Sequence, residues 1–341
     1  MYFMQHVTIK NIAEKAGVST AAVSKALNGQ SDISEATRKR ITDIARELGY
    51  TPNAIARNLV KKSSDMVGVV FPDITNPIYN EFFKALDISA QKNGIRLYLC
   101  DTNHNVELER SYVRSLMENR VMGIIVAPIT SDISHITAQT EGRIPVVYMG
   151  GQVSDPRCNF VFNGDSQGTT RAIDYLFSLG HEKIAMVCDD LSSPSRIRRT
   201  NTYREIMELR GYPPRIVFSP DPTLKLQHAG YVCVEEIVRS GDMPTAIFAY
   251  NDMVAVGALQ ALRDNGYRVP MDVSVVGYDD IEVASLPMIN LTTIAQPKME
   301  MGELAIAAML RLVKEGSAAG KYQMYPEPKL VIRNTSRDIR K

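Results

Sequence analysis

The sequence predicts an α/β protein: a doubly wound parallel-sheet body behind an all-α headpiece at the N-terminus. Three observations carry this. From residue 66 onward short continuous apolar runs alternate with amphipathic segments, as in parallel strands covered by helices on both faces. Before residue 50 the apolar residues recur instead at helical spacing. The charge is split as well. Residues 1–62 hold ten lysines or arginines against five acids, a net +5, in a chain whose formal charge is +1.

In the headpiece, Ile9, Ile12, Ala13 and Ala16 make the stripe of a first short helix, which Gly17 breaks. Ser19 is a good N-cap for a second helix, with Ala22, Val23, Ala26 and Leu27 as its buried face. Two short amphipathic helices joined by a tight glycine-containing turn form a helix-turn-helix, whose second helix suits a DNA major groove. An ordinary helical hairpin is the plainer alternative; the sequence that follows weighs against it. Ser34 caps a third helix bearing Ile41, Ile44, Ala45 and Leu48, closed by Gly49 and Pro52. A basic module on a mildly acidic body implies a phosphate-facing surface. Pro52 can open a further two-turn helix over 53–60, too short to stand alone in water. Lys61, Lys62, Ser63 and Ser64 read as a linker.

In the body, strands are predicted at 66–70, 97–100, 123–126, 146–148, 184–187, 246–250 and 273–277. Helices are predicted near 79–93, 107–119, 166–179, 200–210, 227–239, 252–265 and 297–314. Ligands of such sheets bind beyond the carboxyl ends of strands. Polar residues gather there: Asp73, Asn76, Asn251, Asp252, Tyr278, Asp279, Asp280 and Gln296. Each alone reads as a cap or turn residue; together they line one edge.

The order of helix-turn-helix, third helix, YTPNAIARNL and VGVVFPDITNPIY, with AGVS and VSKALNG in the headpiece, resembles the LacI/GalR family of bacterial transcription regulators. The likeness runs over essentially the whole chain. It implies a helix-turn-helix headpiece at 1–51, a hinge helix and linker at 52–63, and a two-lobed, periplasmic-binding-protein-like body. The first lobe would take 64–164 and 295–324, the second 165–294 and 325–341. Thr20, Ala21 and Lys25 would face base edges, and Ala56 and Leu59 would enter the minor groove. The physics agrees: Lys25 reaches guanine acceptors, Ala21 can meet a thymine methyl, and Leu59 is an apolar wedge that kinks a base step. Thr8, Ser19, Ser24, Asn28 and Arg57 would hold phosphates, which position without specifying. Lysine stands at 25 where many members have arginine, so the planar bidentate fork is lost.

By the same resemblance Arg199, Asn251, Asp279 and Gln296 fall on effector-contacting positions, and Ile78, Tyr79 and Phe82 add apolar or stacking contacts. Donors and acceptors of that kind suit a sugar or sugar derivative; Arg199 also admits an anionic ligand. Two departures stand out. Gly150 and Gly151 occupy the strand end where many sugar-responsive members place an aspartate, and the chain has no tryptophan.

The expected function is a repressor that binds a palindromic operator as a homodimer under the control of a small effector. A protein coeffector, used by some relatives, is the other partner the resemblance admits. A solute-binding protein on the same body is the alternative function. No enzymatic motif appears: no G-x-S-x-G, no P-loop, no metal spacing among the five histidines. No cofactor is expected. Cys100, Cys158, Cys188 and Cys233 form no CxxC and read as buried small hydrophobes in a reducing compartment. No membrane span and no signal peptide are evident, so a cytoplasmic location is expected.

Overall fold

The computed structural model describes residues 7–27, 32–50, 65–189, 193–221, 223–224 and 226–341. The chain divides into two compact units, Met1–Ser64 and Asp65–Lys341.

The first unit is built on α1 (Ile9–Ala16), α2 (Thr20–Leu27) and α3 (Glu35–Glu47). Thr8 and Asn11 cap α1 reciprocally, each side chain accepting from the other's backbone amide. Gly17 then takes φ +62°, a left-handed turn that suits glycine. Ser19 Oγ accepts the Ala22 amide at 3.1 Å to start α2. Ser34 Oγ accepts the Thr37 amide at 3.3 Å to start α3. The inward faces meet in one small core of Ile12, Ala13, Ala16, Val23, Ala26, Ile41 and Ala45.

The second unit holds two six-stranded sheets. The first contains β1 (Met66–Phe71), β2 (Arg96–Asp101), β3 (Gly123–Val126), β4 (Val146–Gly150), β5 (Asn159–Phe162) and, from late in the chain, β11 (Gln323–Met324). All its pairs are parallel, in the order β11-β5-β4-β3-β1-β2. The second contains β6 (Ile184–Cys188), β7 (Arg215–Phe218), β8 (Ala246–Ala249), β9 (Ser274–Asp279), β10 (Thr292–Ala295) and β12 (Lys329–Val331), ordered β12-β10-β9-β8-β6-β7. There β12 alone runs antiparallel. The first lobe is covered by α4 (Pro77–Lys92), α5 (Val106–Glu118), α6 (Ser134–Thr140) and α11 (Lys298–Glu315). The second is covered by α7 (Asp165–Ser178), α8 (Pro194–Leu209), α9 (Leu226–Arg239) and α10 (Asp252–Asp264). The chain therefore passes from one sheet to the other three times, after β5, after β10 and after β11.

Several elements depart from the sequence expectation. The strands β5, β7, β10, β11 and β12 and the helix α6 were not predicted. Of these β7 is half-buried throughout, with only Ile216, Val217 and Phe218 apolar, and β11 is two exposed residues long. The helix expected from 200 begins at Pro194, capped by Ser193. Cys100, Cys188 and Cys233 are buried, but Cys158 is only half-buried, because it enters β5 beside the short edge strand. Among the described residues no helix is long and apolar enough to cross a membrane.

Candidate nucleic-acid interface and ligand cleft

The headpiece sorts α2 into two faces. Val23 and Ala26 are buried, whereas Thr20, Ala21 and Lys25 are exposed and Ser24 is half-buried. The residues expected to face bases and the core residues therefore occupy opposite sides of a two-turn helix. Thr8 and Ser19 are exposed at the starts of α1 and α2, but each hydroxyl already accepts a backbone amide there. The Lys25 ammonium pairs with Asp32 at 2.5 Å, which holds the Asp32 carboxyl below its usual range. Asn28, Ala56, Arg57 and Leu59 lie outside the described residues.

In the body a cleft of about 720 Å³, part of it open to solvent, lies between the ends of the two sheets. All the residues expected at an effector site line it: Ile78, Tyr79, Phe82, Arg199, Asn251, Asp279 and Gln296. The first three come from the first turns of α4, which Asn76 caps through the Ile78 amide. Phe82 is 3% exposed, and Tyr79 tilts against Phe71 with centroids 5.3 Å apart.

Asp279 ends β9 at φ +120°, and Asp280 follows at φ +51°. Consecutive non-glycine residues in this region store strain, which clusters at functional sites. Lys298 Nζ holds the turn by donating to the carbonyls of Asp279 (3.2 Å) and Asp280 (2.6 Å), and it pairs with Glu81 of α4 at 2.5 Å. Arg333 secures the Asp280 carboxylate at 2.7 Å. Gln296 Nε2 donates to Asp279 Oδ1 at 2.5 Å, and the Asn163 amide abuts Gln296 at 2.9 Å. Burial pushes the Asp279 carboxyl up to about 6, against the opposing pull of Arg199 and Gln296.

Arg199 is buried and committed. Its Nε donates to Asp165 at 2.7 Å and its Nη1 to the Tyr250 carbonyl at 2.6 Å, with Asp279 at 3.5 Å. The guanidinium lies 3.5 Å from the Tyr278 ring centroid, within cation–π range. Burial opposes its charge, but Asp165, Tyr278 and Asp279 more than restore it. Arg196 pairs likewise with Asp189 at 2.6 Å and sits over the Tyr250 ring at 5.3 Å. Asn251 Oδ1 caps α10 through the Val254 amide at 2.8 Å, and the residue lines the cleft. The neighbouring Asp252 is fully buried and accepts the Ile281 amide at 2.9 Å and the Thr293 hydroxyl at 2.5 Å. Asp252 is thus a strut between β9 and β10, not a cleft residue. Asp73 faces His104 at 3.6 Å on the first-lobe wall. Burial alone would raise its carboxyl, but His104 and both donors of Thr75 bring it to about 2.

Sequence reasoning missed Asn163, Asp189, Arg196 and Tyr250 as lining residues. Asp189 and Tyr250 directly follow β6 and β8, so the strand-end rule applies to them unchanged. Asn163 follows β5, a strand the apolar pattern did not reveal.

Residues 8–53 match the family model for bacterial regulatory proteins of the lacI family, and 173–336 match the periplasmic-binding-protein-like domain. The HTH-type transcriptional repressor PurR of Vibrio atlanticus (strain LGP32) is 30% identical over 97% of this chain and 99% of its own length. The HTH-type transcriptional regulator DegA of Bacillus subtilis (strain 168) is 32% identical over 96% of this chain and 98% of its own. Among solved structures, the lac repressor dimer bound to operator and the anti-inducer ONPF superposes with a TM-score of 0.87. It is 28% identical and covers 98% of this chain and 100% of its own. With its exposed recognition-helix face, its two-sheet body and these full-length relatives, the chain belongs to the lacI family of bacterial regulatory proteins and is a DNA-binding transcriptional regulator.

Proposed function

We propose that the chain is a repressor that binds a near-palindromic operator as a homodimer and is controlled by an uncharged, polyhydroxylated ligand in the cleft. The charge pairing of the cleft supports the ligand class. Arg196 is neutralised by Asp189, and Arg199 by Asp165 and Asp279. Asp73 adds a further carboxylate. An anionic ligand would have to displace one of these buried pairs and leave a carboxylate uncompensated, which is costly. Hydroxyl donors instead find carboxylate and amide acceptors already in place, and the Asn251 amide donates back. The anionic ligand that Arg199 alone would admit is therefore disfavoured.

A two-fold dimer presents two headpieces to two half-sites, so protein symmetry maps onto operator symmetry. Leu59 from each protomer would wedge the central step. The ligand acts by changing the angle between lobes, a coupling between two sites that must be reciprocal. A thermal-shift panel of neutral sugars, sugar phosphates, sugar acids and purines tests the ligand class. At about 100 times its dissociation constant a ligand adds roughly 2.7 kcal/mol of stability. A hit confined to the phosphates or acids would overturn the charge argument, and a purine hit would move the class to nucleobases flanked by Tyr79 and Phe82. Selection of bound duplexes from a random library tests the operator half. A near-palindrome is the expected product, and selected duplexes without two-fold symmetry would overturn the dimeric reading.

A further inference from the structure

Gly150 and Gly151 stand together at the end of β4, but they are glycines for different reasons. Gly150 has φ +90°, and a Cβ there would meet nothing within 4 Å. Its backbone alone calls for glycine. Gly151 lies outside the left-handed region and is buried. A Cβ built on it would stand 2.6 Å from the Ser195 amide nitrogen, 2.7 Å from Ser195 Oγ and 2.8 Å from Pro194 Cβ. The Ser195 hydroxyl can rotate away, but the helix backbone and the proline ring cannot.

These contacts join the lobes. Gly151 follows a strand of the first sheet, whereas Pro194 and Ser195 are the first turn of α8 on the second. The next residue continues the seam: Arg198 of α8 donates to Gln152 at 2.7 Å. Both glycines and this helix start also line the cleft. We propose that Gly151 is the closure contact of the cleft: the lobes meet at this angle only because position 151 lacks a side chain, and its size sets the angle that is passed to DNA affinity. The regulatory half of this rests on the cleft being the effector site. The seam itself does not.

Alanine at 151 carries no backbone penalty, so it probes the seam alone, and valine enlarges the wedge. The test is hydrogen exchange on the full-length, ligand-free protein and its Gly151→Ala and Gly151→Val variants. Their affinity for the selected near-palindrome is measured in parallel. In this helix Ser193 accepts the Arg196 and Ile197 amides, so the Ser195 amide is the one in the first turn whose protection reports what covers it. Exchange over 149–153 and 193–199 should accelerate, by about tenfold or more for valine and less for alanine, while α3 and α10 keep wild-type rates. Operator affinity should change by about fivefold or more. Unchanged exchange at both peptides would overturn the closure contact. Faster exchange throughout the second lobe would also overturn it, as general destabilisation. Local acceleration with unchanged operator affinity would sink the coupling to DNA. The exchange arm needs neither ligand nor DNA, so its failure is distinct from a failure of the effector reading.

Discussion

At the scale of single residues, Asp279 makes the clearest claim. A carboxyl raised to about 6 binds its proton more tightly in the folded state than in the unfolded chain. Ligand-free stability should therefore decline as pH rises from about 4 through about 6. Ligand binding should run the other way if the carboxylate accepts hydroxyls: affinity should weaken as pH falls below about 6, by up to about tenfold per unit. Titration calorimetry between pH 5 and 8 reads this slope, and Asp279→Asn should abolish the response while keeping operator binding. Asp73 carries the opposite sign. Its carboxyl is lowered to about 2, so its contribution is present above about 4 and is lost as pH falls toward 2. Asp73→Asn should cost at most about 2 kcal/mol at neutral pH, a difference from wild type that vanishes in acid unfolding curves. In the headpiece, Asp32 holds Lys25 and adds a negative charge to the surface expected to face phosphate. Asp32→Asn should raise affinity for random duplex a few-fold and steepen its salt dependence by about one; an unchanged slope would show that Asp32 does not face DNA.

At the scale of elements, α8 shows why part of the site escaped the sequence. Its buried face carries Arg196, Arg199, Thr200 and Thr202 beside Tyr203 and Met207. A helix that turns cations inward has no apolar stripe, so its first two turns gave no periodic signal, although Ser193 and Pro194 mark its start. By contrast, α1 and α3 were legible because their buried residues are aliphatic and their caps are serine, threonine and glycine. The long parallel strands were legible for the same reason; β7 and β11 were not, since β7 is only half-buried and β11 is two exposed residues. Arg199, Asn251, Asp279 and Gln296 were reached through family likeness and strand ends. The pairing of Arg199 with Asp279 was not legible, because it joins residues 80 positions apart. Small cores are sensitive to cavities: Ile41→Ala, fully buried in the headpiece, should cost about 2–5 kcal/mol. Calorimetry should show a headpiece transition moved down while that of the body stays, since the two are separate compact units.

At the scale of the whole molecule, the proposed function couples the cleft to the DNA-binding headpiece. Leu59→Ala should weaken binding to the selected palindrome strongly and binding to random duplex hardly at all; equal losses in competition assays would remove the wedge from the mechanism. The threading of the body has a further consequence, for synthesis. The first sheet begins at Met66, yet its covering helix α11 and edge strand β11 lie at 298–324, after nearly all of the second sheet. The last strand of the second sheet is Lys329–Val331, and Thr335 then ties the chain to β9 by donating to the Val275 carbonyl. A growing chain can therefore complete the headpiece early, but the first lobe only once residue 324 has emerged and the second only once residue 335 has. The DNA-binding headpiece is made first and the body is finished last, so on the proposed function a prematurely terminated chain would carry a headpiece with no control over it.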